Sequence, residues 1–233
     1  MRPRVRDALL LTLTAAAGSV DAVSYLGLGR VFTANMTGNL VLLGIAIGQG
    51  QLTGSVRAVI AFVGFVIGFF LGARLTQTFP SPSGGGQGGG GGTPLWPRSA
   101  TLALLVELGL LLGLLAGWEI TGDRLAAVTF DILIALSAGA MGIQSAAARR
   151  LGVVGVTTTF VTGMLTTLIA ELATGGPARS ESSLWVATLI SLLIGAAAGA
   201  AAFIAWRPGA PLVAVLLIGT VLVVATWSAR PDS

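Results

Sequence analysis

The feature that most constrains this chain is the recurrence of long apolar blocks that carry almost no charge. Eight are recognisable: Ala8–Leu28, Val31–Ile47, Val56–Phe79, Ser99–Gly117, Leu125–Ala148, Val153–Leu172, Leu184–Trp206 and Leu212–Trp227. Most approach the ~20 residues a helix needs to cross ~30 Å of hydrocarbon. Within a bilayer every backbone N–H and C=O must find a partner inside its own segment, so the blocks predict helices. With 9% of residues charged, against roughly a quarter in a soluble domain, a water-facing surface could not be covered. The expected fold is an all-α polytopic membrane protein. Its first block follows Arg2, Arg4 and Arg6 and is longer than a signal-peptide core, which predicts a retained first helix.

The same composition closes several functional classes. The 13 basic residues, all arginines, are scattered singly or in pairs between apolar blocks, a topological pattern and not a nucleic-acid-binding face. Cysteine and histidine are absent, which removes thiolate nucleophiles, imidazole bases and the commonest metal ligands. No phosphate-loop or zincin motif is present. No cofactor, metal or enzymatic activity is therefore expected; catalysis would have to draw on a carboxylate pair from Asp21, Glu107 and Asp131.

An internal repeat divides the chain. Val31, Thr33, Thr37, Gly38, Leu40 and Leu43 recur 125 positions later as Val156, Thr158, Thr162, Gly163, Leu165 and Leu168. Upstream, Gly18, Asp21 and Ala22 have the spacing of Gly142, Ser145 and Ala146; downstream, Gly68 and Gly72 echo Gly195 and Gly199. Four segments thus correspond to the next four. Residues 1–79 hold the first three segments of repeat one, 80–98 form a Gly/Pro-rich flexible linker, 99–123 hold the fourth segment, and 124–233 make repeat two.

Arginine placement bears on how many segments cross. If all eight span, Arg2, Arg4, Arg6, Arg57, Arg124, Arg179 and Arg230 lie on the N-terminal side, seven of 13. If segments two and six dip in and return, Arg2, Arg4, Arg6, Arg74, Arg98, Arg149, Arg150, Arg179 and Arg230 do, nine of 13. The second count obeys the positive-inside rule, with a cytoplasmic N-terminus. It predicts six full spans, two broken or re-entrant segments, and halves inverted relative to each other; eight spans with parallel halves is the alternative.

Polar residues inside the blocks are the candidate site. Asp21 lies in the first helix among small residues, and Glu107 lies near the middle of segment four. An intramembrane carboxylate is a functional hypothesis because its desolvation must be offset. Along Phe32–Asn39, helical spacing would put Thr33 and Thr37 on one face and Asn35 and Asn39 on another, ahead of a break at Gly38. Thr158, Thr162 and Gly163 repeat the pattern, and Gln144 is a polar counterpart next to the position of Asp21. Two symmetric polar breaks could meet near the midplane as one site. The Gly64, Gly68, Gly72 ladder reads as close helix packing.

Three stretches also resemble the YoaK-like family of uncharacterised bacterial membrane proteins. They are Gly18–Ala22 (Gly-x-x-Asp-Ala), Phe32–Asn39 (Phe-x-x-Asn-x-Thr-Gly-Asn), and Gly142–Gln144 leading into Thr158–Thr159 and Thr162–Gly163. Ser145 departs from the asparagine expected in many relatives. The resemblance implies a multi-pass protein of the bacterial cytoplasmic (inner) membrane and supplies no activity. The expected function is a transporter or channel for a small solute, ion or proton, with the lipid bilayer as its surroundings and no nucleic-acid partner. A non-transporting scaffold or sensor is the alternative.

Overall fold

Each apolar block contributes one helix among the described residues. The computed structural model describes residues 3–78, 96–121, 127–151, 161–174 and 182–228. The elements are α1 (Pro3–Gly27), α2 (Met36–Gly48), α3 (Leu52–Thr78), α4 (Arg98–Thr121), α5 (Ala127–Arg150), α6 (Val161–Thr174), α7 (Ser182–Ala205) and α8 (Leu212–Ser228). Five of them, α1, α3, α4, α5 and α7, have the length and apolar composition to cross a membrane; α2, α6 and α8 are apolar but shorter. At 1.5 Å per residue α2 and α6 reach only ~20 Å, against ~30 Å of hydrocarbon. Most of the glycine-rich linker lies outside the described residues.

Helix α1 packs on α7, α3 packs on α5, and α4 and α8 complete a centre built around α1 and α5. Small residues make the two tight pairs. A Cβ on Gly68 would collide with the backbone of Gly139, and one on Gly72 would come within 3.0 Å of Ile143 Cα. On the other pair, Gly195 abuts Ala15 and Gly199 abuts Ser19. Gly18 faces Leu192 and Ala196, while Gly142 faces Phe65 and Phe69. Without a hydrophobic driving force between helices in lipid, this close approach supplies the dispersion contacts that hold them together. The two sets interconvert by fixed offsets: adding 127 carries α3 positions onto α7, and adding 124 carries α1 positions onto α5.

Contacts along each pair fix the helix directions. α1 and α7 run parallel, since 15 and 19 face 195 and 199, and so do α3 and α5, since 68 and 72 face 139 and 143. α1 and α5 run antiparallel: Gln144 reaches Leu13, whereas Ser137 lies beside Thr33, Ser19 and Ser24. α4 opposes α5, with Gly117 against Leu133. At one end of the bundle Trp118 Nε1 donates to the Arg207 carbonyl at 3.1 Å, and its ring lies against Gly27. Arg30, Arg57 and Arg207 lie at that end, and Arg4, Arg6, Arg74, Arg98, Arg149 and Arg150 at the other, among the described residues.

Candidate functional site

The site begins where α1 stops. Leu28 N–H donates to Ser24 O at 2.8 Å and Arg30 N–H to Tyr25 O at 3.2 Å, with Gly29 at φ 86° between them. This is a Schellman-type ending, which needs a residue that tolerates the left-handed region. The following turn carries the chain back alongside α1. Phe32 stacks on Tyr25 at 5.1 Å between centroids, and the Arg57 guanidinium sits over Phe130 near Gly29.

Asp21 organises the returning strand. Its Oδ1 accepts the N–H of Thr33 at 2.8 Å and that of Ala34 at 2.7 Å. Those two donors precede α2, whose N-cap is Asn35, with Oδ1 accepting the Gly38 N–H at 3.1 Å. A carboxylate facing the start of a helix is favoured by the unpaired N–H groups and by the dipole. Asn39, one turn on, is buried and closes the loop from the other side: Oδ1 accepts the Phe32 N–H at 2.9 Å and Nδ2 donates to the Phe32 carbonyl. The Thr33 hydroxyl, fully buried, lies 2.8 Å from Ser137 Oγ on α5.

These contacts correct one expectation. Phe32 to Asn35 are not helical, so Thr33 and Thr37 do not share a helix face, nor do Asn35 and Asn39. The break falls ahead of Asn35, which prefers to cap, and not at Gly38, which sits in the first turn. Thr37 is exposed on α2 and takes no part in the network.

Below the loop, Ser19, Ser24, Ser137, Leu114 and Ala214 surround a cavity of about 10 Å³. That is room for roughly one water. The Ser19 hydroxyl is buried with no partner, and a water there would supply one. The three serines were not among the residues singled out from the sequence. Their signal was burial of single hydroxyls on the small-residue faces of α1 and α5.

The remaining candidates separate from this network. Gln144 Nε2 donates to the Leu13 carbonyl at 2.9 Å, joining α5 to α1, and its Oε1 is buried without a partner. Glu107 is fully buried in α4 on the face of Leu104 and Leu111, and neither carboxylate oxygen has a hydrogen bond. Thr162 and Gly163 open α6, their carbonyls accepting Thr166 and Thr167 hydroxyls. Thr162 is exposed, as is Thr37. Thr158 lies outside the described residues. At the position equivalent to Asn39, α6 carries the buried apolar Met164.

With this geometry in place, comparisons with known proteins locate the chain. Residues 9–225 match the family model described as "Protein of unknown function (DUF1275)". The "UPF0700 transmembrane protein YoaK" of Bacillus subtilis (strain 168) is 36% identical over 168 residues, 72% of this chain and 68% of the relative. No solved structure matches.

Proposed function

Because the chain belongs to the DUF1275 family and is a multi-pass membrane protein like its Bacillus relative, we propose that it forms a passage for a small solute or ion through the bacterial cytoplasmic membrane. The observation that carries this reading is the non-helical stretch Phe32–Asn35, held against the last two turns of α1 and the middle of α5 by Asp21, Asn39 and Ser137. Such backbone is tolerated at membrane depth only where protein buries it or where it lines a cavity. Six described arginines at the N-terminal end against three at the other favour a cytoplasmic N-terminus. Helix α2 then starts within the bilayer, near Asp21, and exits on the side where α1 ends and α3 begins.

On this reading the halves are inverted, and each contributes one segment that enters without crossing. The cavity between Ser19, Ser24 and Ser137 has room for about one water, so passage requires the α1–α7 and α3–α5 pairs to move relative to one another. Glu107, the buried acid with no partner, lies two turns from the cavity-lining Leu114 on α4, and on this reading it is the group that meets the cation or proton once the pairs move. No enzymatic step and no cofactor are part of the proposal. The internal satisfaction of Asp21 is the observation that favours the alternative, a non-transporting scaffold.

Reconstitution of the purified chain into liposomes, with uptake measured across cations, anions and small metabolites, tests the proposal. The expected result is a saturable flux that Glu107→Gln abolishes. A screen with no flux above empty liposomes, together with stoichiometric capture of one membrane partner, would favour the scaffold.

A further inference from the structure

We propose that the cleft between the C-terminal ends of α3 and α5 binds the phosphate headgroup of an anionic phospholipid. The cleft has a volume of about 350 Å³ and is open to the surroundings. Its rim carries Arg149 and Arg150 from the last turn of α5 and Gln77 from α3, all exposed. Among the described residues neither Arg149 nor Arg150 forms an ion pair with a carboxylate. Paired guanidiniums match the oxygens of a phosphodiester in bidentate fashion.

The walls favour a lipid over a soluble anion. Phe69, Ala73 and Ala146 give the cleft an apolar side, and Val66 and Phe70 extend an exposed apolar flank along α3. An acyl chain can lie along that flank while its phosphate reaches the arginines. The cleft also lies at the ends of two crossing helices, where headgroups lie.

The matching positions of the second helix pair lie at the opposite end of the bundle. The offset that carries α1 onto α5 puts Tyr25 and Leu26 where α5 has Arg149 and Arg150. Close packing is common to both pairs, yet the guanidiniums occur at one. The α5 macrodipole explains a basic residue in its last turn. It does not explain a cleft kept open beside two of them.

The test is lipid binding by the full chain in detergent, read by native mass spectrometry with phosphatidylglycerol and phosphatidylcholine of identical chains. Preferential retention of phosphatidylglycerol is expected. Arg149→Gln and Arg150→Gln should each lower that preference about 5-fold, and the double variant roughly 25-fold. Ala73→Phe, which keeps both charges and fills the cleft, should lower it about as much as one arginine change. Arg98→Gln, at the same end of the bundle, should leave it unchanged. Equal retention of the two lipids, an equal loss in Arg98→Gln, or no loss in Ala73→Phe would each overturn the proposal. So would displacement of phosphatidylglycerol by millimolar inorganic phosphate, which would mark a site for a soluble anion. Ala73→Phe keeps the test decisive if the double arginine variant fails to fold.

Discussion

Asp21 and Glu107 are both carboxylic acids inside apolar helices, and the protein treats them in opposite ways. Asp21, half-buried, hydrogen-bonds the backbone of a neighbouring segment through Oδ1. Glu107, fully buried, hydrogen-bonds nothing. A buried polar group without partners costs stability, whereas one that satisfies otherwise orphaned N–H groups returns its desolvation. The geometry differs accordingly: Asp21 holds the loop through its backbone, and Glu107 holds nothing among the described residues, which is why the proposed passage places the ion at Glu107.

The largest expected effect is at Asp21. Replacement by alanine leaves the Thr33 and Ala34 N–H groups without their acceptor, at about 3 kcal/mol for two bonds to a charged group. Thermal unfolding in detergent should show a markedly lower midpoint, and a wild-type midpoint would mean the loop is held by Asn39 alone. Asp21→Asn is milder, since the amide oxygen can still accept both bonds while the charge is lost. We expect about 1–2 kcal/mol, with any flux falling in proportion to the folded fraction. A variant that stayed as stable as wild type yet lost flux would move Asp21 from scaffold to pathway.

Ser137→Ala removes the α5 hydroxyl that meets Thr33 of the loop between α1 and α2. Intramembrane hydrogen bonds of this kind average about 0.6 kcal/mol, so the midpoint should fall slightly. The more sensitive readout is hydrogen exchange at Thr33 and Ala34, which should quicken while exchange within α3 stays the same. Unchanged exchange would place the loop's anchorage wholly on Asp21 and Asn39.

Much of this arrangement is legible in sequence, for identifiable reasons. Helices follow from block length, and the two glycine-lined pairs follow from small residues at i, i+4 spacing. The arginine count is the basis for expecting α2 and α6 not to cross, and in the structure α1 and α5 run antiparallel. What could not be read was the partner of each polar residue. Asp21 binds backbone 12 and 13 positions away, and backbone N–H groups carry no sequence signature. Periodicity also misplaced the break at Phe32–Asn35, because a capping asparagine and a helical asparagine are the same letter. Ser137 was passed over because its contact with Thr33 spans 104 positions. The repeat itself is uneven: Ser145 and Met164 stand where repeat one has Asp21 and Asn39. At these two positions the second repeat's sequence therefore supplies neither the carboxylate nor the amide that hold the loop in the first.

Glu107→Gln should have the smallest effect on stability, and it is the variant that sharpens the contrast most. The amide is close to isosteric and brings no charge, so nothing present in the fold is lost, and the unfolding midpoint should stay within about 0.5 kcal/mol of wild type. Glu107→Leu goes further: exchanging an unpartnered buried acid for an apolar side chain of similar volume should be neutral or stabilising by about 1 kcal/mol or more. If instead Glu107→Leu destabilises by as much as Asp21→Ala, Glu107 has a structural partner and the division of labour between the two acids collapses. If it is stable but liposomes containing either variant carry no flux, stability and activity have been separated onto different carboxylates. That separation is what the proposed passage predicts, with the ion met at Glu107 and the backbone of the loop held by Asp21.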